Sequence, residues 1–129
     1  IRRVDLDELF AVSDIVTLHC PLMDATRGLV GVERLASMKP GAILVNAARG
    51  GIVDEAALAA ALDAGRLAGA RLDVFTHEPL EAGNPLLSVR EPDRLLLSPH
   101  NAWSPVEAIE ILVECIARNI RDFYTPQNQ

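Results

Sequence analysis

Apolar residues in this chain come in short continuous runs, and stretches of helical spacing separate one run from the next. Val4 to Ser13 places Leu6, Leu9 and Phe10 three and four apart, with Asp5 as candidate N-cap and Glu8 three residues on; this predicts a packing helix. Asp14-Ile15-Val16-Thr17-Leu18-His19-Cys20-Pro21 is predicted as a buried strand closed by polar groups and a proline, and Asp24 to Gly31 as turns. Val32 to Met38 is a short helix stopped by Lys39-Pro40-Gly41, since proline cannot continue a helix. The apolar strand that starts at Ala42 stops abruptly at Asn46-Ala47-Ala48-Arg49-Gly50-Gly51. Ile52 to Ala64 follows as a clearer helix, with Asp54 as N-cap and Gly65 as the stop. Ala68 to Phe75 is a third strand, Thr76 to Pro92 is irregular, and Arg94 to Ser98 is a fourth strand ending at Pro99-His100-Asn101. In the last element Ser104 is placed to cap, Pro105 to occupy the first helical position and Glu107 to complete a capping box. Val106, Ile109, Leu112, Val113, Ile116, Ile120 and Phe123 then form one apolar stripe, with Cys115 beside it as a small hydrophobe.

Strands alternating with helices imply right-handed crossovers and a parallel sheet, so the fold class is α/β. In such a sheet ligands bind outside the carboxyl ends of the strands. The four predicted strands run into His19-Cys20-Pro21, into Arg49, into Asp73 and then Glu78, and into His100. Separate positions in the sequence therefore converge on one edge, and that makes Arg49 a candidate ligand clamp rather than a solvent-pointing cation. The role of His19 stays open, and His77, which ends no strand, reads as a solvated side chain.

Composition narrows the partners. With 18 acidic against 12 basic residues in 129, the net charge is −6, which argues against nucleic acid or an anionic membrane. No run is long enough to span a bilayer, and no signal peptide is expected. Two cysteines, Cys20 and Cys115, make neither a disulfide framework nor a metal site, so a reducing cytoplasm is expected. The chain begins at Ile1 in mid-pattern and is expected to be a fragment.

An arginine, a carboxylate and a histidine on one rim suit a small anionic substrate and a proton transfer. Arg49 can grip a carboxylate bidentately. His100 is the natural general acid/base, and Glu78, if it bonds the imidazole, fixes its tautomer and favours its charged form. Both adjoin prolines, Pro79 and Pro99, which restrict their backbone.

Five stretches occurring in order carry a family resemblance: His19-Cys20-Pro21-Leu22; Met38-Lys39-Pro40-Gly41-Ala42; Asn46 to Asp54; Leu72-Asp73-Val74-Phe75 with Glu78-Pro79; and Ser98-Pro99-His100. As a linked set they resemble the D-isomer-specific 2-hydroxyacid dehydrogenases, over roughly Val4 to Tyr124. The resemblance implies the second half of a Rossmann-like, doubly wound NAD-binding domain over residues 1–124, with a tail at 125–129. It implies hydride transfer between NAD(H) and a small 2-keto or D-2-hydroxy acid of the glycerate, hydroxypyruvate or glyoxylate kind, NADP remaining open. By the same resemblance Arg49 holds the substrate's carboxylate and carbonyl, His100 is the acid/base and Glu78 its partner. Cys20, Pro21, Ala47, Ala48, Arg49, Asp73, His100 and Trp103 line the dinucleotide, Asp73 near the nicotinamide carboxamide and Trp103 beside the pocket. No metal is implied, and a homodimer is expected for the full-length protein.

The chain also departs from the family pattern. It carries no Gly-x-Gly-x-x-Gly loop, no acidic residue for the adenosine ribose and no substrate domain, so on its own it is expected to be inactive. Asn101 stands where an aliphatic residue is usual, and Arg71, inside a strand, is expected at a sheet edge or end. The first strand is expected to leave an unpaired edge that invites self-association. Two other readings fit the same residues: an NAD-sensing corepressor of the C-terminal-binding-protein kind, which shares Trp103, and a non-catalytic interaction fragment. A glycine loop and a further domain encoded upstream would favour the enzyme.

Overall fold

The computed structural model describes residues 2–125, so the expected tail lies outside the described residues apart from Thr125. Helices and strands alternate as far as β3: α1 Leu6–Val12, β1 Ile15–Leu18, α2 Val32–Ser37, β2 Ile43–Asn46, α3 Glu55–Asp63 and β3 Gly69–Leu72 are followed, after a connection that holds only two 3-10 turns at Pro85–Ser88 and Pro92–Arg94, by β4 Leu95–Leu97 and α4 Val106–Tyr124. The strands form one parallel sheet in the order β1-β2-β3-β4. Each strand is shorter than the segment predicted for it, because the residues past its end turn into the loops that carry the polar groups. Val74 and Phe75, read as strand, lie beyond β3 and are buried in that turn.

Local chemistry explains where the helices start and stop. The Asp5 and Asp54 carboxylates accept the Glu8 and Ala57 backbone N–H groups and so cap α1 and α3, as expected from their spacing. Gly65, at φ +67°, supplies the left-handed turn that ends α3. The cap expected at the last helix is different. Pro105 is the residue preceding α4, no side chain caps it, and the Ser104 hydroxyl donates instead to the Asn101 carbonyl at 2.7 Å. That bond draws Ser104 into the turn that follows His100.

Register puts Val16, Leu18, Leu44, Asn46, Ala70 and Leu72 on one face of the sheet, all of them buried. Helices α1, α2 and α3 pack side by side, and Phe10, Leu35, Leu58 and Leu62 complete that core. Burying each such side chain contributes about 1.5–3 kcal/mol. The opposite face carries Ile15, Thr17, Val45, Arg71 and Leu96, partly or fully exposed, and no described helix covers it. This explains Arg71, which lies in an interior strand rather than at an edge or end. Its open face lets the guanidinium turn back onto the Ala70 and Arg94 carbonyls at 2.9 and 3.2 Å. β1 pairs only with β2 among the described residues, so its other edge is free. The stripe on α4 is exposed along its whole length.

Candidate functional site

All four strands point the same way, so the loops after β1, β2, β3 and β4 share the carboxyl edge of the sheet. After β1 come His19, Cys20 and Pro21, and after β2 come Ala47, Ala48 and Arg49. Together these six residues line a cleft of about 370 Å³. Asn46 shapes the turn that carries Ala47, Ala48 and Arg49. Almost fully buried, its side chain donates to the Arg49 carbonyl at 3.0 Å and accepts the Ala48 N–H at 3.1 Å, folding the chain tightly back on itself. Arg49 is exposed, its guanidinium donates to the Ala48 carbonyl, and it makes no ion pair among the described residues. The cleft therefore has small side chains, backbone polar groups and one uncommitted cation. That donor set suits the uncharged amide and ribose portion of a dinucleotide beside a small anion.

The loops after β3 and β4 build a second group. His100 Nδ1 and Glu78 Oε2 are 2.7 Å apart, and the other oxygen of Glu78 accepts the Phe75 N–H at 2.8 Å. Chiefly because the His100 ring bonds it, and because Phe75 donates to it, the Glu78 carboxyl is held below its ordinary range. With Nδ1 committed, Nε2 of His100 is left for a ligand. An apolar cavity of about 610 Å³, lined by Phe75, Leu80, Leu87, Leu97 and Pro99, adjoins the pair.

His100 sits at φ +54°, a left-handed conformation rare for a residue with a side chain and costing on the order of 1 kcal/mol. Asp73 at the end of β3 holds it there. Its buried carboxylate accepts Ser98 Oγ at 2.5 Å and the Asn101 and Ala102 N–H groups at 3.0 and 2.8 Å, so it fixes the loop on both sides of His100. Burial pushes the Asp73 carboxyl up, but the bonds from Ser98, Ala102 and Asn101, with the His100 charge, outweigh it and bring the net value down. Trp103 is largely exposed and its indole N–H donates to the His100 carbonyl at 2.9 Å, which joins it to the same turn.

The sequence-predicted residues thus fall into two clusters on one sheet edge: Cys20, Pro21, Ala47, Ala48 and Arg49 in the cleft, and Asp73, Glu78, His100 and Trp103 in the bonded turn. His19 lines the cleft and bonds Thr17 Oγ1 at 3.0 Å, whereas His77 is exposed. Sequence reasoning missed the tasks of Asn46 and Ser98. The available signal was a polar residue closing each apolar run.

Both carboxylates are held low, so each stabilises the fold above its unfolded-state pKa, and that contribution is lost as pH falls through the folded value. Stability is expected to hold down to about pH 5 and to fall progressively below about pH 4. Urea midpoints measured against pH check this. Asp73→Asn should lower the midpoint at pH 7 and flatten the acid limb, and an unchanged limb would count against the assignment.

Residues 1–102 match the profile described as D-isomer specific 2-hydroxyacid dehydrogenase, NAD binding domain. The chain belongs to that family. It is 45% identical over 127 residues to a glycerate dehydrogenase of Methylorubrum extorquens, covering 97% of this chain and 40% of the relative. Among solved structures, a D-lactate dehydrogenase of Aquifex aeolicus complexed with NAD and lactic acid superposes with a TM-score of 0.77 at 30% identity, over 93% of this chain and 40% of that one. A D-isomer specific 2-hydroxyacid dehydrogenase of Xanthobacter autotrophicus, in complex with NADPH and MES, gives a TM-score of 0.72 at 44% identity, over 96% of this chain and 50% of that one. The chain spans between about one fifth and two fifths of the length of curated relatives such as these. The α/β, Rossmann-like fold and the NAD-binding assignment read from the sequence therefore stand. No helix among the described residues is long and apolar enough to cross a membrane.

Proposed function

We propose that this chain supplies the cofactor-side half of the active site of an oxidoreductase that interconverts a small 2-keto acid and its D-2-hydroxy acid. The observation that carries this reading is the His100–Glu78 pair: a histidine whose Nδ1 is committed to a carboxylate, on the same sheet edge as an unpaired arginine. Cys20, Pro21, Ala47, Ala48 and Trp103 line the dinucleotide, with Asp73 behind them. When bound, NADH supplies the hydride. Arg49 grips the substrate carboxylate and polarises the neighbouring carbonyl. His100, protonated at Nε2, gives its proton to the keto oxygen as that oxygen gains charge, and takes one back from the hydroxyl in the oxidation direction. Glu78 holds the ring in the required tautomer and offsets the imidazolium charge.

The preferred substrates are of the hydroxypyruvate and glyoxylate kind. Relatives named glycerate dehydrogenase, hydroxypyruvate reductase and glyoxylate reductase support that choice. Turnover is assigned to a longer protein that joins these residues to a Gly-x-Gly-x-x-Gly loop for the pyrophosphate, a motif this sequence does not contain. The test is a panel of 2-keto acids offered to that protein with NADH and with NADPH. Reduction of hydroxypyruvate or glyoxylate supports the assignment. Inactivity towards every 2-keto acid with both cofactors, in protein shown to bind either one, overturns it.

A further inference from the structure

We propose that Glu55 is a positioning residue that locks the Glu78–His100 pair to the segment carrying Arg49. The inference rests on the reading of these three residues as one site. Glu55 is the first residue of α3, a few positions after Arg49, and its charge is favoured at that helix N-terminus. Its side chain reaches away from its own helix. Oε1 accepts both the Thr76 N–H at 2.7 Å and the Thr76 hydroxyl at 2.9 Å, and Oε2 accepts the Asn84 side-chain amide at 2.6 Å. Thr76 and Asn84 bracket the loop that contains Glu78, so one carboxylate ties both ends of that loop to the chain leaving β2.

The Phe75–Thr76 peptide makes this attachment consequential. The Phe75 N–H donates to Glu78, and the next N–H along the chain, that of Thr76, donates to Glu55. On the carbonyl side of the same peptide lies Gly50, so close that a Cβ there would stand 1.8 Å from the Phe75 oxygen. The segment after β2 thus packs Gly50 against the oxygen of this peptide and accepts its N–H through Glu55. Phe75, through the N–H of the adjoining Val74–Phe75 peptide, in turn holds Glu78, which holds His100. Arg49, between Asn46 and Gly50, shares that segment, so Glu55 helps to fix the spacing between the anion clamp and the proton donor.

Carboxyl-detected NMR titration of the 129-residue chain, with its amide spectrum as a check of folding, tests the lock. Loosening the loop weakens the two bonds that keep the Glu78 carboxyl low, so Glu55→Ala should raise its midpoint. Loss of a nearby negative charge alone would act the other way and lower it. Glu55→Gln retains one acceptor oxygen and should raise the midpoint less than alanine does. Should Glu55→Ala fail to fold, the rise is required of Glu55→Gln alone. A Glu78 midpoint that stays put or falls in a folded variant overturns the proposal. The functional reading fails separately: if the midpoint rises while the longer protein reduces no 2-keto acid, the lock stands and the proposed chemistry does not.

Discussion

Replacing His100 with alanine in the proposed dehydrogenase is expected to lower kcat/KM for a 2-keto acid by about 10³-fold, within the range of roughly 10² to 10⁴ that a positioned general acid supplies. The loss should fall mainly on kcat, because the proton reaches the keto oxygen only as the hydride arrives, and an interaction made only in the transition state leaves binding little changed. Arg49→Lys gives the complementary pattern. Lysine keeps the charge but loses the fork that grips a carboxylate, so KM should rise along with a fall in kcat. Glu78→Gln should cost less than His100→Ala, since the amide oxygen still accepts from Nδ1 while the charge is lost. Steady-state kinetics over a range of pH separates the three. If His100→Ala left turnover intact, the acid/base assignment would be wrong. An indistinguishable Arg49→Lys enzyme would remove the clamp.

The elements were legible from the sequence because two periodicities alternate cleanly. Runs such as Ile43 to Val45, closed by Asn46 and followed by two glycines, read as a strand, and Asp54 before Glu55-Ala56-Ala57-Leu58 marks a helix start by its side-chain chemistry. Convergence of Arg49, Glu78 and His100 on one edge followed from topology alone, because every parallel strand delivers its last residue to the same side. Less visible was what holds these residues in place. Asp73 contacts Ser98, Asn101 and Ala102, and Glu55 contacts Thr76 and Asn84. These bonds span 21 to 29 positions and have no local pattern to announce them. Ser104 failed as a cap for a related reason. A sequence motif offers its hydroxyl to the helix N-terminus, but the turn organised by Asp73 offers the Asn101 carbonyl first. Arg71 was misplaced because sequence pattern tells strand from helix but not which sheet face is covered.

The second large effect is expected at a residue with no chemistry of its own. Gly50→Ala should destabilise the fold by about 3 kcal/mol, at the upper end of the usual cost of overpacking. The added Cβ would lie 1.8 Å from the Phe75 oxygen and 2.1 Å from its carbonyl carbon, and both are backbone atoms that cannot swing aside. Gly51 is a useful contrast. It has a positive φ of +79° but its Cβ would meet only side-chain atoms at 3.7 Å, so alanine there carries conformational strain without collision. For a domain of this size, 3 kcal/mol corresponds to a fall in Tm of roughly 10 °C, against a few degrees for Gly51→Ala. Thermal unfolding of the two variants side by side measures the difference. In the proposed enzyme Gly50→Ala should also cut kcat more than Gly51→Ala at temperatures where both remain folded, because relief of the collision must separate the Arg49 segment from the Phe75–Thr76 peptide. Equal Tm values for the two variants would show that the approach of these two loops is looser than 1.8 Å implies, and the rigid link between the clamp and the proton donor would fall with it.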